Sequence, residues 1–404
     1  MSYYWRLSGL YFFYFASLGI IIPFWNLYLD DRGLSAQQIG FLGAILMGTK
    51  IISPSVLGWF SDRYKNTMLV VRRANFLALI CFSALFLLPN ATTTLVDGQS
   101  TGLASGQSFL YLCLVVFLFS FFWNGVIAQY EAVTIVSLGS NYKKYGLIRI
   151  WGSIGFTITV FLIGWYFNLY PISHVPWFML GLLILIWLST LSIYSVRNQT
   201  VNADSTKLFL DRLKQKDAIL IFFACFLMKF SFATYYTFYT IYLAKLGYSQ
   251  LQIGLLWGLS VTAEMISFLF AARMIQAIGL KNVLLLTFFV AALRWFLIPN
   301  FDHNFSALAL IQLLHGASFA VYHAAAIEWV RRHFAKNSMA QGQAMYSAVS
   351  FGLGGAVGAL LIGMLWTNEQ SNWWAICWYV VALSAALGTL AIASVPKQTL
   401  EQAE

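Results

Sequence analysis

Charged residues are scarce in this 404-residue chain: they make up 9% of it, whereas apolar residues make up 60% and aromatic residues 18%. A soluble globular domain carries about 25% charged residues. So few charges leave too little polar surface to cover a chain of this length in water. The composition therefore excludes an ordinary soluble domain and favours a protein whose surface mostly faces lipid.

Cysteine is also scarce, and catalytic motifs are missing. The cysteines Cys81, Cys113, Cys225 and Cys377 all fall in apolar stretches without metal-ligand spacing, so they are predicted to be small buried hydrophobic residues. The sequence has no catalytic triad and no glycine-rich nucleotide-binding loop. We therefore expect no metal, no cofactor, no enzyme activity and no use of ATP.

Long apolar stretches dominate the chain. Crossing the hydrocarbon core of a bilayer takes about 20 apolar residues per helix, and twelve stretches meet this requirement. The first begins after only seven residues and lacks a small-residue cleavage site, so it is predicted to be a retained helix and not a signal peptide. The predicted spans are 8–29, 39–60, 69–90, 108–138, 149–169, 175–196, 218–243, 252–275, 282–299, 306–330, 341–365 and 373–395.

The basic residues predict the orientation of these spans. If both termini lie inside, nineteen of the 24 lysine and arginine residues fall on the inside, whereas Arg32 and Lys245 alone fall in outside loops. An excess of Lys and Arg marks the cytoplasmic side, so both termini are predicted to be cytoplasmic. The basic residues are spread over many short loops without a contiguous stripe, which argues against nucleic-acid binding.

The longest polar stretch divides the chain into two halves. Residues 197–217 hold five basic and three acidic residues and are predicted to form a cytoplasmic linker with a short amphipathic helix around Phe209 on the membrane surface. The predicted domains are a six-helix bundle at 1–196, this linker, and a second six-helix bundle at 218–404. The fold class is an all-α integral membrane protein of two pseudo-symmetric bundles.

The two halves carry a repeat. Residues 24–46 and 238–260 align without gaps at a constant offset of 214, with nine identities in 23 positions. Each half holds an even number of spans, so the copies share one orientation and form a parallel repeat, whose substrate site is expected near the midplane. The same offset makes Lys50 and Glu264 equivalent, and we hypothesise that they meet or share the substrate.

Ionisable residues inside the spans are candidates for function, because each costs about 2.5–3.5 kcal/mol at the bilayer centre. The acids and histidines can change protonation with what is bound. Alternative roles stay open: interhelical ion pairing, snorkelling to the interface, or satisfied core residues. The predicted substrate-binding residues are Lys50, Glu131, Arg149, Lys229 and Glu264, and the predicted proton-coupling residues are Glu264, Arg294, His315 and His323.

Cations outnumber acids among these residues, which favours an anionic substrate such as a carboxylate. Aromatic side chains near them could stack on a ring in the substrate. The four cations are Lys50, Arg149, Lys229 and Arg294; the acids are Glu131 and Glu264, with Glu328 nearer the inside end.

The loop after the second span carries the first family resemblance. It reads GWFSDRYK from Gly58 to Lys65, with Asp62 and Arg63 between them. This loop resembles the signature loop of the major facilitator superfamily. The resemblance implies the major facilitator fold, alternating access by rocking of the two halves, and a monomer. It also implies that these four residues form a conformational-switch loop.

Along most of its length the chain resembles the phenylpropionate permease family. That resemblance implies a bacterial inner-membrane transporter of a small organic acid. The segments that carry it are GIIIPFWNLYL, YGLIRIWGSIGF, GLSVTAEMISF and LLHGASFAVYHAAAIEW.

The chain is also distantly similar to the lactose permease group of proton symporters. Glu131 and Arg149 stand at the 18-residue separation of that group's substrate-binding pair, and Glu264 matches an acid in its eighth span. Arg294 and His315 match its proton pathway with one residue more between them. The acid three residues after that histidine is Ser318 here, and the paired Asp–Lys of spans 7 and 11 is missing. Sugar specificity and the identity of the proton carrier therefore stay open.

Together these features predict a proton-coupled symporter of a small organic solute, expected to be an aromatic carboxylate such as 3-phenylpropionate. Its partners would be the substrate, protons and the lipid bilayer. The alternatives are a galactoside-like sugar or nucleoside proton symporter, an efflux protein for lipophilic compounds, or a non-transporting membrane receptor. A receptor would need a soluble signalling domain, and no segment outside the spans is long enough to form one.

Overall fold

The computed structural model of the protein describes residues 3–88, 95–96, 99–100, 105–139, 144–194, 205–334, 338–366 and 371–401. Twelve helices in these ranges are long and apolar enough to cross a membrane. We number them spans 1 to 12 in chain order. They are Tyr3–Asp31, Ala36–Tyr64, Thr67–Leu87, Gly106–Leu138, Tyr145–Leu169, Ile172–Leu191, Lys216–Lys245, Gln250–Ile278, Leu280–Asn300, Phe305–His333, Met339–Leu365 and Trp373–Ser394.

These helices confirm all twelve predicted spans, with ends that differ by about five residues or less. Two short helices are present besides the spans: Ser205–Leu213 in the linker and Lys397–Glu401 after the last span. A two-stranded antiparallel ribbon pairs Leu95–Val96 with Gln99–Ser100. The predicted linker helix is present, and Phe209 in it packs against Phe334 at 5.3 Å between ring centroids.

The sequence repeat has a structural cause at the start of spans 2 and 8. Ser35 accepts from the backbone N–H of Gln38, whose side chain accepts from the backbone N–H of Ser35. Ser249 and Gln252 make the same reciprocal capping box. Such a box satisfies two of the N–H groups that a helix start leaves unpaired. The repeated identities therefore preserve two equivalent helix starts.

The chain forms two compact units. Unit 1 contains Met1–Thr200 and Thr237–Gly258, and unit 2 contains Val201–Tyr236 and Leu259–Glu404. The end of span 7 and the start of span 8 thus belong to unit 1. The predicted division at 196 and 218 stays a prediction.

Unit 1 is held by close helix contacts and an aromatic cluster. A Cβ added to Gly155 would overlap the backbone carbonyl of Phe12, so this glycine lets spans 1 and 5 approach closely. The ring of Tyr14 lies between those of Trp123 and Tyr130, at 5.3 and 5.6 Å. This packing sets spans 1, 4 and 5 against one another.

Within unit 1, the segment 237–258 packs on the first-half helices. Gly254 faces Gly164 so closely that a Cβ on Gly164 would lie 3.2 Å from the Cα of Gly254. The side chain of Asn26 donates to the carbonyl of Thr237 at 3.0 Å.

The core of unit 2 is also aromatic. Trp295 stacks on Trp378 at 5.9 Å, meets the edge of Phe232 at 4.9 Å, and donates its indole N–H to Ser231 at 3.1 Å. These contacts join spans 7, 9 and 12. They place Lys229 and Arg294, two cations of the apolar spans, beside this aromatic core.

Three of the twelve helices contain a wider, π-helical stretch: Ile21–Trp25 in span 1, Gly316–Val321 in span 10 and Ala348–Gly354 in span 11. Stretches of this kind are rare in proteins, and those that occur are often found at functional sites. Two of the three lie in unit 2, close to its buried charges.

Candidate functional site

A buried polar network connects spans 8, 9 and 10 in unit 2. The guanidinium of Arg294, which is fully buried, lies 2.8 Å from Nδ1 of His315. It also donates to the side-chain oxygen of Gln312 at 2.6 Å. On the other side of the imidazole, Nε2 of His315 lies 3.5 Å from a carboxylate oxygen of Glu264. Arginine, histidine and glutamate thus form one continuous array.

The donors in this array define the tautomer of His315. Arginine nitrogens only donate, so Nδ1 of His315 is the acceptor. The ring proton of a neutral imidazole is then on Nε2, the atom that faces Glu264. In this arrangement His315 is a neutral bridge between a fixed positive charge and a titratable acid.

Further polar groups hold Arg294 in place. Gln312 also accepts from Ser260 at 2.7 Å and from Tyr235 at 3.3 Å. The guanidinium lies over the rings of Tyr235 and Trp295, at 4.4 and 4.5 Å from their centroids. Cation–π contacts and hydrogen bonds together compensate for the loss of water around a buried charge.

His323 lies outside this array but is connected to it by Phe319. The rings of His315 and His323 both stack on Phe319, at 5.2 and 6.4 Å, and Nδ1 of His323 lies 2.9 Å from the hydroxyl of Tyr346. His315, Phe319 and His323 follow one another at intervals of four residues, which places them on one face of span 10. The proton-coupling role of His323 stays a prediction.

Lys229 is buried among aromatic rings. Its Nζ lies 3.9 Å from the ring centroid of Phe319, 4.1 Å from that of Phe351 and 4.8 Å from that of Phe232. The two rings nearest to Nζ belong to spans 10 and 11.

The predicted pair in unit 1 is also close in space. Nε of Arg149 lies 4.0 Å from a carboxylate oxygen of Glu131, and the two side chains are 32% and 42% exposed. The guanidinium of Arg149 lies 4.1 Å from the ring centroid of Phe15, and Tyr145 lies beside both charged residues. The pair is therefore open on one side and held by a ring on the other.

Lys50 lies in span 2 with its Nζ 3.3 Å from the sulfur of Met47. Lys50 belongs to unit 1 and Glu264 to unit 2. Their pairing, and the substrate-binding role of Lys50, stay predictions.

Residues 58–64 of the predicted switch loop are helical, because span 2 continues to Tyr64 and ends only where Lys65 caps it. Lys65 takes a left-handed conformation, with φ of 51°, and its backbone N–H donates to the carbonyl of Asp62. A Cβ at Gly58 would meet only the side chain of Gln129, at an ordinary contact distance of 3.6 Å. The switching role of these residues and of Arg63 stays a prediction.

Sequence reasoning missed Gln312 and Ser260. Both lie in apolar spans and are buried, and Gln312 precedes His315 by about one helical turn. A polar side chain three residues from a membrane histidine was the available signal. Gln312 becomes part of the site only through its contact with Arg294, which lies on a different helix.

Twelve apolar helices with buried charges define a multi-pass membrane protein. A family model described as the MFS_1 like family matches residues 4–376, so the chain belongs to this family. It is therefore a major facilitator transporter, which confirms the predicted superfamily.

Two relatives and one solved structure agree with this class. The chain is 27% identical over 375 residues to the "Probable 3-phenylpropionic acid transporter" of Escherichia coli strain K12, covering 88% of this chain and 89% of that protein. It is 24% identical over 365 residues to the "Maltose permease" of Geobacillus stearothermophilus, covering 89% and 87%.

The crystal structure of a point mutant of nucleoside transporter NupG matches 98% of this chain and 100% of that one, with a TM-score of 0.83 and 19% identity. This likeness confirms the predicted all-helical fold. The proteins named here are transporters and not enzymes, as the sequence predicted.

Proposed function

We propose that the protein is a proton-coupled symporter of a small organic acid, an aromatic carboxylate such as 3-phenylpropionate. It would lie in a bacterial inner membrane with both termini in the cytoplasm and work by alternating access as a monomer. The observation that carries this proposal is the array in unit 2 that joins the buried Arg294 and His315 to the partly exposed Glu264.

The array favours binding a proton and an anion together. Arg294 keeps its positive charge, whereas Glu264 loses its negative charge when it takes up a proton. Because electrostatic interactions are strong in a buried site of low dielectric, protonated Glu264 leaves unit 2 more attractive to an anion. By linkage, a bound anion favours protonation of Glu264 to the same extent. This reciprocity is the thermodynamic requirement of symport.

Two observations support an aromatic acid. Lys229 lies among phenylalanine rings, an environment that offers both a cation and apolar faces. The relative from Escherichia coli is named as a probable transporter of 3-phenylpropionic acid.

A sugar or nucleoside is the second candidate. The open pair of Glu131 and Arg149 offers an acceptor and a donor side by side, which suits hydroxyl groups. A relative named maltose permease and a structural neighbour named nucleoside transporter agree with this alternative.

Uptake into proteoliposomes separates the candidates. Uptake of labelled 3-phenylpropionate, a galactoside and a nucleoside would be measured with and without an inwardly directed proton gradient, in which the outside is more acidic than the inside. The proteins compared would be the wild type, Arg149→Ala and the control Arg331→Ala. We expect accumulation of the aromatic acid alone, driven by the gradient and lost in Arg149→Ala. Accumulation of only the galactoside or the nucleoside would support the second candidate, and accumulation of none would contradict both.

A further inference from the structure

Three interruptions of regular helix lie around Lys229. Span 7 breaks into Lys216–Ser231 and Ala233–Lys245 just after it, and the two π-helical stretches of unit 2 lie in spans 10 and 11. Irregular backbone at membrane depth leaves polar groups that lipid cannot satisfy, and it is tolerated where it is buried in protein or lines a cavity. Three such places around one buried cation indicate a site shaped for a ligand.

The two π-helical stretches supply the rings that contact the ammonium group. Phe319 comes from Gly316–Val321 and Phe351 from Ala348–Gly354. Both rings are partly exposed, although Lys229 itself is only 3% exposed. The two stretches therefore place two partly exposed rings over a cation that is otherwise enclosed.

Two buried hydroxyl groups complete the cluster. The hydroxyls of Tyr322 and Ser350 belong to residues that are 0% exposed, and within the described part of the chain neither makes a hydrogen bond of good geometry. The hydroxyl of Tyr346 lies beside that of Tyr322. Tyr322 lies in span 10, with its ring centroid 5.7 Å from Nζ of Lys229. Ser350 lies in the π-helical stretch of span 11. The thiol of Cys225, a weak hydrogen-bonding group, lies beside both hydroxyls.

Buried hydroxyl groups with only weak or poorly aligned partners are costly, because they lose their bonds to water without full replacement. All three polar groups of the cluster can donate a hydrogen bond: one ammonium and two hydroxyls. A ligand that accepts bonds from all three and carries negative charge, as a carboxylate does, suits this cluster. The surrounding phenylalanine rings favour an apolar or aromatic body attached to that carboxylate.

We infer that Lys229, Tyr322 and Ser350 form a carboxylate-binding site of this transporter, with Phe319 and Phe351 holding the ring of the substrate. This inference rests on the proposed transport of an aromatic acid and assigns it a location in unit 2. Both phenylalanine rings now lie within about 4 Å of the ammonium group. One of them moves aside when the carboxylate binds and then contacts the substrate.

The same movement reaches the proton-coupling array. Phe319 stacks on His315 with ring planes 14° apart, and His315 contacts both Arg294 and Glu264. A carboxylate that displaces Phe319 therefore disturbs the ring that bridges the fixed charge and the titratable acid. This gives the substrate a direct mechanical route to the protonation of Glu264.

The test is binding of labelled 3-phenylpropionate to the purified full-length protein in detergent, with 3-phenylpropanamide as the neutral analogue. The variants are Lys229→Met, Tyr322→Phe and Ser350→Ala. Their matched controls are Lys216→Met, Tyr379→Phe and Ser189→Ala, which lie outside the proposed sites. Size-exclusion profiles and thermal unfolding check that each variant is folded.

We expect Lys229→Met to raise the Kd for the acid by about 10- to 100-fold, the loss of a charge-assisted bond, and the Kd for the amide by less than about threefold. Tyr322→Phe and Ser350→Ala should each raise the Kd for the acid by about three- to tenfold. Each control should bind the acid as the wild type does. The two conservative variants keep the test valid if Lys229→Met does not fold.

The possible results distinguish a failure of the proposed site from a failure of the proposed function. If the wild type binds the acid and the folded variants bind it equally well, the site is overturned while the proposed function stands. If Lys229→Met weakens the binding of the acid and of the amide to the same extent, the charge-specific site is also overturned. If the wild type does not bind the acid at all, the proposed function is overturned, and the site that rests on it is overturned too.

Discussion

The two units treat buried charge in opposite ways. In unit 1, Arg149 and Glu131 meet at 4.0 Å and are about one third exposed or more. In unit 2, Arg294 is fully buried and makes bonds of 2.6 and 2.8 Å to Gln312 and His315. One pair is loose and open, and the other array is tight and enclosed.

The difference has a physical meaning. A buried charge must be compensated by several well-placed partners, so removing one partner costs far more than in an exposed pair. In unit 2, the well-placed partners stabilise the charges of the array, and a single proton on Glu264 changes its net charge. The pair in unit 1 can adjust to a ligand with little loss of internal bonding.

The largest effect is expected for Arg294→Met. It leaves Glu264 without the fixed positive charge of its array and Gln312 without a strong donor. We expect the free energy of unfolding to fall by about 3–5 kcal/mol, as when a buried ion pair loses one partner, and active uptake to vanish. Thermal unfolding in detergent and uptake in proteoliposomes measure the two effects. Unfolding at the wild-type temperature would contradict the structural role of the array.

Glu264→Gln separates proton coupling from binding. Glutamine keeps the shape of the side chain but cannot titrate, so gradient-driven accumulation should fall by about tenfold or more, the size of typical coupling free energies. Exchange of labelled for unlabelled substrate without a gradient should persist. Glu328→Gln is the control, because that acid pairs with Arg331 and Arg332 near the end of span 10. Undiminished accumulation in Glu264→Gln would exclude this residue as the proton carrier.

The open pair in unit 1 tests the substrate class. For an anionic substrate, Arg149→Ala should raise the half-saturation concentration by about 10- to 100-fold, whereas Glu131→Gln should change it by less than about threefold. A sugar or nucleoside would need both side chains, so both variants would then be impaired. Initial uptake rates over a range of substrate concentrations distinguish the two patterns.

The smallest effect is expected for the surface pairs. Glu328 contacts Arg331 and Arg332 at 2.7 Å, and Arg331 is 56% exposed. Replacing Glu328 by Gln should lower the free energy of unfolding by less than about 1 kcal/mol, as for exposed ion pairs in general. A loss comparable to that of Arg294→Met would show that depth in the protein does not govern the cost of breaking a charge pair here.

Several features of the molecule could be predicted from the sequence because they depend on local or regular patterns. Span positions follow from continuous hydropathy. The capping boxes at Ser35 and Ser249 underlie identities in the repeat. The proximity of Glu131 and Arg149 followed from a resemblance at fixed spacing.

Other features could not be predicted because they depend on packing between distant segments. Nothing local distinguishes the π-helical stretch at 316–321 from ordinary helix. Gln312 is one polar residue in an apolar span until Arg294 is placed beside it. Phe319 and Phe351 are ordinary apolar residues in sequence, and only the packing of spans 7, 10 and 11 brings both onto Lys229.

If the proposed function is correct, one proton at Glu264 accompanies one anion into the cell. The most direct test is the pH outside de-energised proteoliposomes when 3-phenylpropionate is added, for wild type and Glu264→Gln. We predict that the external medium becomes more alkaline with the wild type, as protons enter with the acid, and does not with the variant. Entry of the acid through the wild type without proton movement, or equal alkalinisation with Glu264→Gln, would contradict the claim.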